Sequence, residues 1–186
     1  MWGVRIEGHA VRMRPIAEAE VPLLLDWSGD PKTLRPAGVG NHEIPPGALE
    51  KWWNAAGTDP DSRHWGLECD GRLAGRAAIH GIDWQSRTAW IAVMIGDRPV
   101  DRQEVATEGV ALLTECAFRQ LNLHKLTSSC IDGNRAAAEA LLRAGYQEVT
   151  RLREQLYRDG RWFDEVLSEV LRDEWERAHP LGIGPR

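Results

Sequence analysis

Few residues in this chain are suited by type and spacing to do chemistry. His80 ends an extended segment and is followed by Gly81-Ile82-Asp83. An imidazole there can act as a base through water near neutral pH, and it can equally be a surface or structural histidine. His124, in Leu123-His124-Lys125, better suits a structural role. No two histidines have metal-ligand spacing and no Gly-x-Ser-x-Gly elbow occurs, so neither a metal centre nor a serine nucleophile is expected. Cys69, Cys116 and Cys130 form no Cys-x-x-Cys pair. Their odd number suits a reducing compartment, and a cytoplasmic location is expected. Gly38-Val39-Gly40-Asn41-His42-Glu43 half-matches a dinucleotide loop but lacks its third glycine and the preceding strand.

Two further groups stand at element boundaries. Asp101 and Glu104 open the longest helical pattern, where carboxylates complement the helix dipole. Asn134, after Asp132-Gly133, suits a helix N-cap. The nine tryptophans are informative in aggregate. Trp27, Trp52 and Trp53 fall in or near the first two helices, and Trp84 and Trp90 bracket the start of a central strand. They can line an aromatic substrate site, or serve core packing or a dimer interface.

The elements that must position these groups follow from patterning. At 186 residues the chain is one domain with room for a substantial core. A net charge of −5 argues against a nucleic-acid backbone as partner, and no apolar run approaches the length of a membrane span. Nor does the N-terminus carry a basic segment followed by an apolar block. Ala10 to Ile16 alternates as a strand does, Glu18 to Trp27 is helical, and the Pro- and Gly-rich stretch 31–46 reads as a loop. A second helix is expected from Gly47 to Ala56, stopped by Gly57. His64–Cys69 and Leu73–Ile79 flank Asp70-Gly71, a strong hairpin signal. Thr88–Ile95 is nearly all apolar, as expected of a central strand buried on both faces. A long helix over Glu104–Leu121, a strand over Lys125–Ile131 and a helix over Arg135–Ala144 follow. Gln147–Tyr157 and Phe163–Leu171 form a closing antiparallel pair. The order β-α-α-β-β-β-α-β-α-β-β implies an α/β (α+β) domain with a mixed sheet and helices on both faces.

That order, with its local wording, resembles the GNAT N-acyltransferases. Ala117-Phe118-Arg119-Gln120-Leu121-Asn122-Leu123-His124-Lys125-Leu126 resembles the helix-to-strand passage of the ribosomal-protein N-terminal acetyltransferase branch. Asn134-Arg135-Ala136-Ala137, continuing to Ala144-Gly145-Tyr146, is similar to that branch's Asn-x-x-Ala…Gly-Phe segment. Leu152-Arg153-Glu154 and Tyr157 to Asp164 resemble its terminal hairpin. The resemblance spans residues 10–175, leaving 1–9 as an N-terminal extension and 176–186 as a flexible tail. It implies a sheet of six to seven strands, about four helices, and two parallel strands, Ala89–Ile95 and Lys125–Ile131, that splay apart to admit an acyl-pantetheine arm.

By the same resemblance, backbone amides near Met94 and Ile95 hold the thioester carbonyl. Asn134, beside Ala137, bonds the pantetheine chain, and Gln103, Val105, Ala106 and Thr107 approach the donor at the helix start. Trp27, Trp53, Trp84 and Trp90 are the candidate acceptor-site aromatics and His80 the candidate base. The implied function is transfer of an acyl group, acetyl by expectation, from acetyl-CoA or another acyl-CoA to a small-molecule or peptide amine. A homodimer is compatible with this fold.

Four positions depart from the family pattern. The pyrophosphate loop, Arg/Gln-x-x-Gly-x-Gly/Ala, aligns with Asp101-Arg102-Gln103-Glu104-Val105-Ala106, in which only Ala106 survives. A like-charge contact at about 4 Å costs roughly 1 kcal/mol in water and about 4 at intermediate dielectric. Two alternatives therefore stand beside the acyl-CoA reading: a donor carried as phosphopantetheine on an acyl carrier protein, or a non-catalytic GNAT-fold binding module. Trp90 stands where many relatives place a glutamate base, and Leu141 where many place a tyrosine acid.

Overall fold

The computed structural model of the chain describes residues 1–29, 47–96, 100–158 and 160–180. The loop expected over 31–46, the half-matched dinucleotide stretch within it, and residues 181–186 of the expected tail lie outside the described residues, as does the Trp52 side chain. In chain order the strands are β1 (Ile6–Glu7), β2 (Arg12–Arg14), β3 (Arg63–Cys69), β4 (Arg72–Asp83), β5 (Thr88–Ile95), β6 (Lys125–Ile131), β7 (Gln147–Arg158) and β8 (Arg161–Leu171). The helices are α1 (Val21–Gly29), α2 (Ala48–Thr58), α3 (Arg102–Glu115), α4 (Arg135–Arg143) and α5 (Arg172–Ala178). The strands form one eight-stranded sheet in the order β1-β2-β3-β4-β5-β6-β8-β7. Every neighbouring pair is antiparallel except β5 and β6.

Each face of the sheet carries its own core. On one face Ile79, Ile91, Leu126 and Val170 pack beneath Val105, Leu112 and Leu113 of α3, Leu141 of α4 and Trp175 of α5. On the other, Leu73 and Met94 pack with Leu24 and Trp27 of α1 and Trp53 of α2. Period-two alternation sends Ala89, Ile91 and Ile95 of β5 to the first core and Met94 to the second, but Trp90 and Ala92 are exposed on the second face, so the expected burial on both faces holds only at the Met94 end. Among the described residues no helix is long and apolar enough to cross a membrane.

Several elements differ from the sequence expectation. Residues 1–9 are tied into the sheet: Ile6–Glu7 pairs with β2, and Trp2 bridges to His64. α2 runs through Gly57 to Thr58, because a helical glycine costs only about 1 kcal/mol and does not by itself stop a helix. The long helix changes pitch to a π-helical turn at Cys116–Gln120. Cys116, Ala117 and Phe118 are all buried there. Burial also pushes the Cys116 thiol up to about 12. Asp70 and Gly71 both take positive φ, 50° and 72°, as the predicted tight hairpin requires. Residues 176–178 complete α5.

His64 of β3 is buried, and its Nε2 lies 3.0 Å from Ser62 Oγ. Desolvation, with smaller contributions from the N-terminal ammonium and Arg76, lowers its pKa from 6.5 to about 4. The folded protein therefore excludes a proton that the unfolded chain binds below pH 6.5, so stability is full above that value and falls towards pH 4. His64 alone accounts for a loss of about 2 kcal/mol between pH 7 and pH 5. His80 acts in the same direction, lowered by desolvation and then by Arg76. Urea titrations at the two pH values measure the loss, and His64→Gln is expected to remove most of it.

Candidate active site

The parallel pair β5–β6 is joined at three rungs only: Thr88↔Lys125, Ala89↔Leu126 and Trp90↔Thr127. Beyond them β5 stays registered on β4 as far as Gly75↔Ile95, and β6 stays on β8 as far as Ile131↔Glu165. The two strands thus diverge, each held by its outer neighbour, and a slot opens between residues 91–95 and 128–131. At its closed end Ser128 Oγ donates to the carbonyl of Ile91 at 3.3 Å, which satisfies the first carbonyl past the last rung.

Backbone direction along β5 decides which groups line this slot. Gly96 N–H donates to Ala74 O at 2.8 Å, in register with Arg76↔Met94. Alternation therefore turns Met94's N–H and C=O towards β4, and those of Val93 and Ile95 towards the slot. Arg102 Nη1 donates to Gly96 O at 2.7 Å and Nη2 to Ile95 O at 3.2 Å. The β5 groups left facing the slot past Ile91 are the N–H and C=O of Val93 and the N–H of Ile95.

The open end of the slot meets the start of α3. Here Asp101 is the N-cap, and its Oδ1 accepts from Glu104 N–H at 3.0 Å. One turn on, the Glu108 carboxylate accepts from three consecutive amides, those of His9, Ala10 and Val11, the last two at 3.0 Å. A depression of about 640 Å³ beside them is lined by Asp101, Gln103, Glu104, Thr107, Glu108 and Arg143, among others. Gln103 Nε2 reaches Thr107 Oγ1 at 3.3 Å and Ala136 O at 3.2 Å, tying α3 to α4. Asn134 Oδ1 accepts from Ala137 N–H at 3.1 Å, so the N-cap role read from sequence is realised. Val105 is buried and Ala106 packs against the same core.

Sequence and shape comparisons bear on this geometry. A family model described as an acetyltransferase (GNAT) domain matches residues 10–147. This chain belongs to the GNAT family. It is 28% identical over 124 residues to YdaF of Bacillus subtilis, described as a candidate ribosomal N-acetyltransferase, covering 67% of each chain. A second B. subtilis relative, YjcK, described as a candidate N-acetyltransferase, is 26% identical over 117 residues, covering 61% of this chain and 64% of YjcK. In three dimensions the chain superposes on spermidine N-acetyltransferase of Vibrio cholerae, solved with CoA and spermine, with a TM-score of 0.80 at 18% identity. That match covers 89% of this chain and 98% of the other. An acetyltransferase structure from T. thermophilus gives a TM-score of 0.72 at 25% identity, covering 95% of both. The GNAT fold is thereby established, and the protein is an acyltransferase of the N-acetyltransferase class.

The remaining expected site residues of this GNAT domain divide by position. Trp27 and Trp53 are buried at 4% and 8% exposure in the second core, so they hold α1 and α2 on the sheet instead of lining an open surface. Trp90 is exposed at the closed end of the slot and pairs across strands with His80. Trp84 is exposed at the β4–β5 turn, where Nε1 donates to Asp61 Oδ1 at 2.8 Å and Arg63 stacks at 5.6 Å. His80 thus joins Trp90, while Trp84 lies apart in the turn. Leu141, where many GNAT relatives place a tyrosine, is buried in the core. Sequence reading missed the Ser128 bond, the Asp101 cap and the Glu108 clasp. Asp101 three residues before Glu104 carried the N-cap signal; nothing local signals the other two.

Proposed function

We propose that this protein transfers an acetyl group from a pantetheine thioester to an amine by direct attack, with the donor arm lying in the slot between β5 and β6. The observation that carries this reading is the three-rung pairing followed by divergence, which leaves Val93 and Ile95 amides aimed into the opening. An N–H donor there polarises the thioester carbonyl without a covalent enzyme intermediate. Asn134, at the turn after β6, adds a polar group near the open end. The V. cholerae neighbour was solved with CoA, which supports acetyl-CoA as the donor, and with spermine, which supports an amine acceptor. His80 and Trp90 face the acceptor side, with His80 as the base, its pKa lowered by desolvation and then by Arg76.

One observation favours a carrier-protein donor as the second reading. The α3 amide best placed to meet a pyrophosphate already serves the Asp101 carboxylate. A carrier-protein phosphopantetheine brings a single phosphodiester and no nucleotide, so it makes less demand on this end. Thiol release in the presence of an amine panel tests both. Turnover with acetyl-CoA at micromolar concentration supports the first reading. Turnover only with acetyl carrier protein supports the second, and none with either contradicts both.

A further inference from the structure

The strand registers place one transverse row of side chains at the closed end of the slot. His80 of β4 pairs with Trp90 of β5, Trp90 with Thr127 of β6, Thr127 with Glu169 of β8, and Glu169 with Gln147 of β7. Paired residues project to the same face, and this is the face opposite α3, because the next row, Ala89, Leu126 and Val170, lies in the core beneath that helix. Four of the five members are accessible, with His80 and Gln147 exposed, Trp90 39% exposed and the Glu169 side chain 29%, while Thr127 between them is buried. Strands lie about 4.8 Å apart, so Glu169 and His80 each stand one strand outside the two edges of the slot.

We infer that Glu169 is the acceptor-recognising residue: its carboxylate binds a protonated primary amine at the floor of the slot. This rests on the acyl-transfer reading above. Glu169 Oε1 receives both Lys125 Nζ, at 2.9 Å, and Thr127 Oγ1, at 3.4 Å. Oε2 takes no hydrogen bond from the described residues and is open to an ammonium donor. Glu169 stands two strands from Trp90 in the same row, so the carboxylate supplies a counter-charge for an alkylammonium group and Trp90 an aromatic surface for its chain or a second cationic group. The thioester polarised from Val93 lies about 10 Å along β5 from Trp90, so the row receives the amine. The ammonium proton passes to His80 through water, the neutral nitrogen attacks the thioester carbon, and the C–S bond breaks to release the thiol. Lys125 competes for the same carboxylate and tunes its attraction downwards.

The competing account makes Lys125–Glu169 a structural ion pair, and the two accounts predict opposite behaviour for the partners. Steady-state transfer from acetyl-CoA to 1,4-diaminobutane, and to a short peptide with a free α-amine, separates them. Glu169→Gln is expected to raise KM for at least one of these probes tenfold or more, with KM for acetyl-CoA within twofold of wild type. Glu169→Asp should recover part of the loss, and Lys125→Met should leave KM for the amine at or below wild type. A thermal melt and a CoA titration of each variant verify its fold. Unchanged amine KM in Glu169→Gln overturns the proposal, as does an equal rise in Glu169→Gln and Lys125→Met. Wild-type protein that binds CoA but acetylates neither probe also overturns it, leaving the donor site standing. Failure to bind CoA or to use any donor sinks the acyl-transfer reading and this proposal with it.

Discussion

Gly75→Ala is expected to lower the melting temperature by about 5–10 °C and to weaken acetyl-CoA binding at least tenfold. A Cβ at Gly75 would stand 2.4 Å from the Met94 carbonyl oxygen and 3.2 Å from Ile95 Cα. Both obstacles are backbone, so relief requires β5 itself to move, and it moves off β4 into the slot. Overpacking of this kind costs typically 1–3 kcal/mol, and each kcal/mol shifts a domain of this size by roughly 2–4 °C. Gly71→Ala is the matched control. Its φ of 72° imposes a left-handed penalty, but nothing lies within 4 Å of the added carbon. It should destabilise modestly and leave donor binding unchanged. Differential scanning fluorimetry and calorimetric titration of both variants supply the comparison. A Gly75→Ala protein that binds acetyl-CoA as tightly as wild type would show that the β5 edge does not line the donor site.

Asp101→Asn is expected to strengthen CoA binding fivefold or more at nearly constant stability. The asparagine side-chain oxygen can still accept from Glu104 N–H, so the cap survives while the charge is lost. Removing one like charge near a phosphate gains roughly 1 kcal/mol in water and more at lower dielectric. Asp101 is the position to change because it is the carboxylate seated on the helix-start amide. Isothermal titration with CoA reads the effect. Unchanged affinity would mean that the phosphates do not approach α3 at all.

The sequence disclosed elements wherever local chemistry decides them. Thr88–Ile95 and Lys125–Ile131 begin and end where expected, the first because it is a nearly continuous apolar run and the second because Asp132-Gly133 ends it. Asp70-Gly71 and Gly145 sit at positive φ as their turn and cap roles require. Long-range geometry was not legible in the same way. β1 is only Ile6–Glu7, and its turn is fastened by Glu108, distant in sequence. No propensity signals a two-residue strand held by a remote carboxylate. The candidate site shows the same division. The splay could be expected from a family resemblance, and His80 and Trp90 stood out by residue type. The row that joins them to Thr127 and Glu169 depends on strand register, which a single sequence does not specify. Trp27 and Trp53 show the converse: aromatic type marked them for a pocket, and packing against Leu73 and Met94 gave them to the core.

The arrangement of the slot also explains why so few polar side chains suffice. Ser128 and Arg102 satisfy the Ile91 and Ile95 carbonyls, so the donor-facing edge of β5 is rich in N–H groups. An edge so biased towards donors suits a carbonyl that gains negative charge during attack. On the proposed reading, backbone supplies the polarisation, and Glu169 and Trp90 supply charge and an aromatic surface.

Hydrogen exchange of backbone amides, read by NMR with and without saturating acetyl-CoA, tests the placement of the donor most directly. Slowed exchange at Val93 and Ile95, with Met94 and Ala92 unchanged on the β4 side, is the predicted result. Saturation with no added protection at Val93 or Ile95 would contradict it.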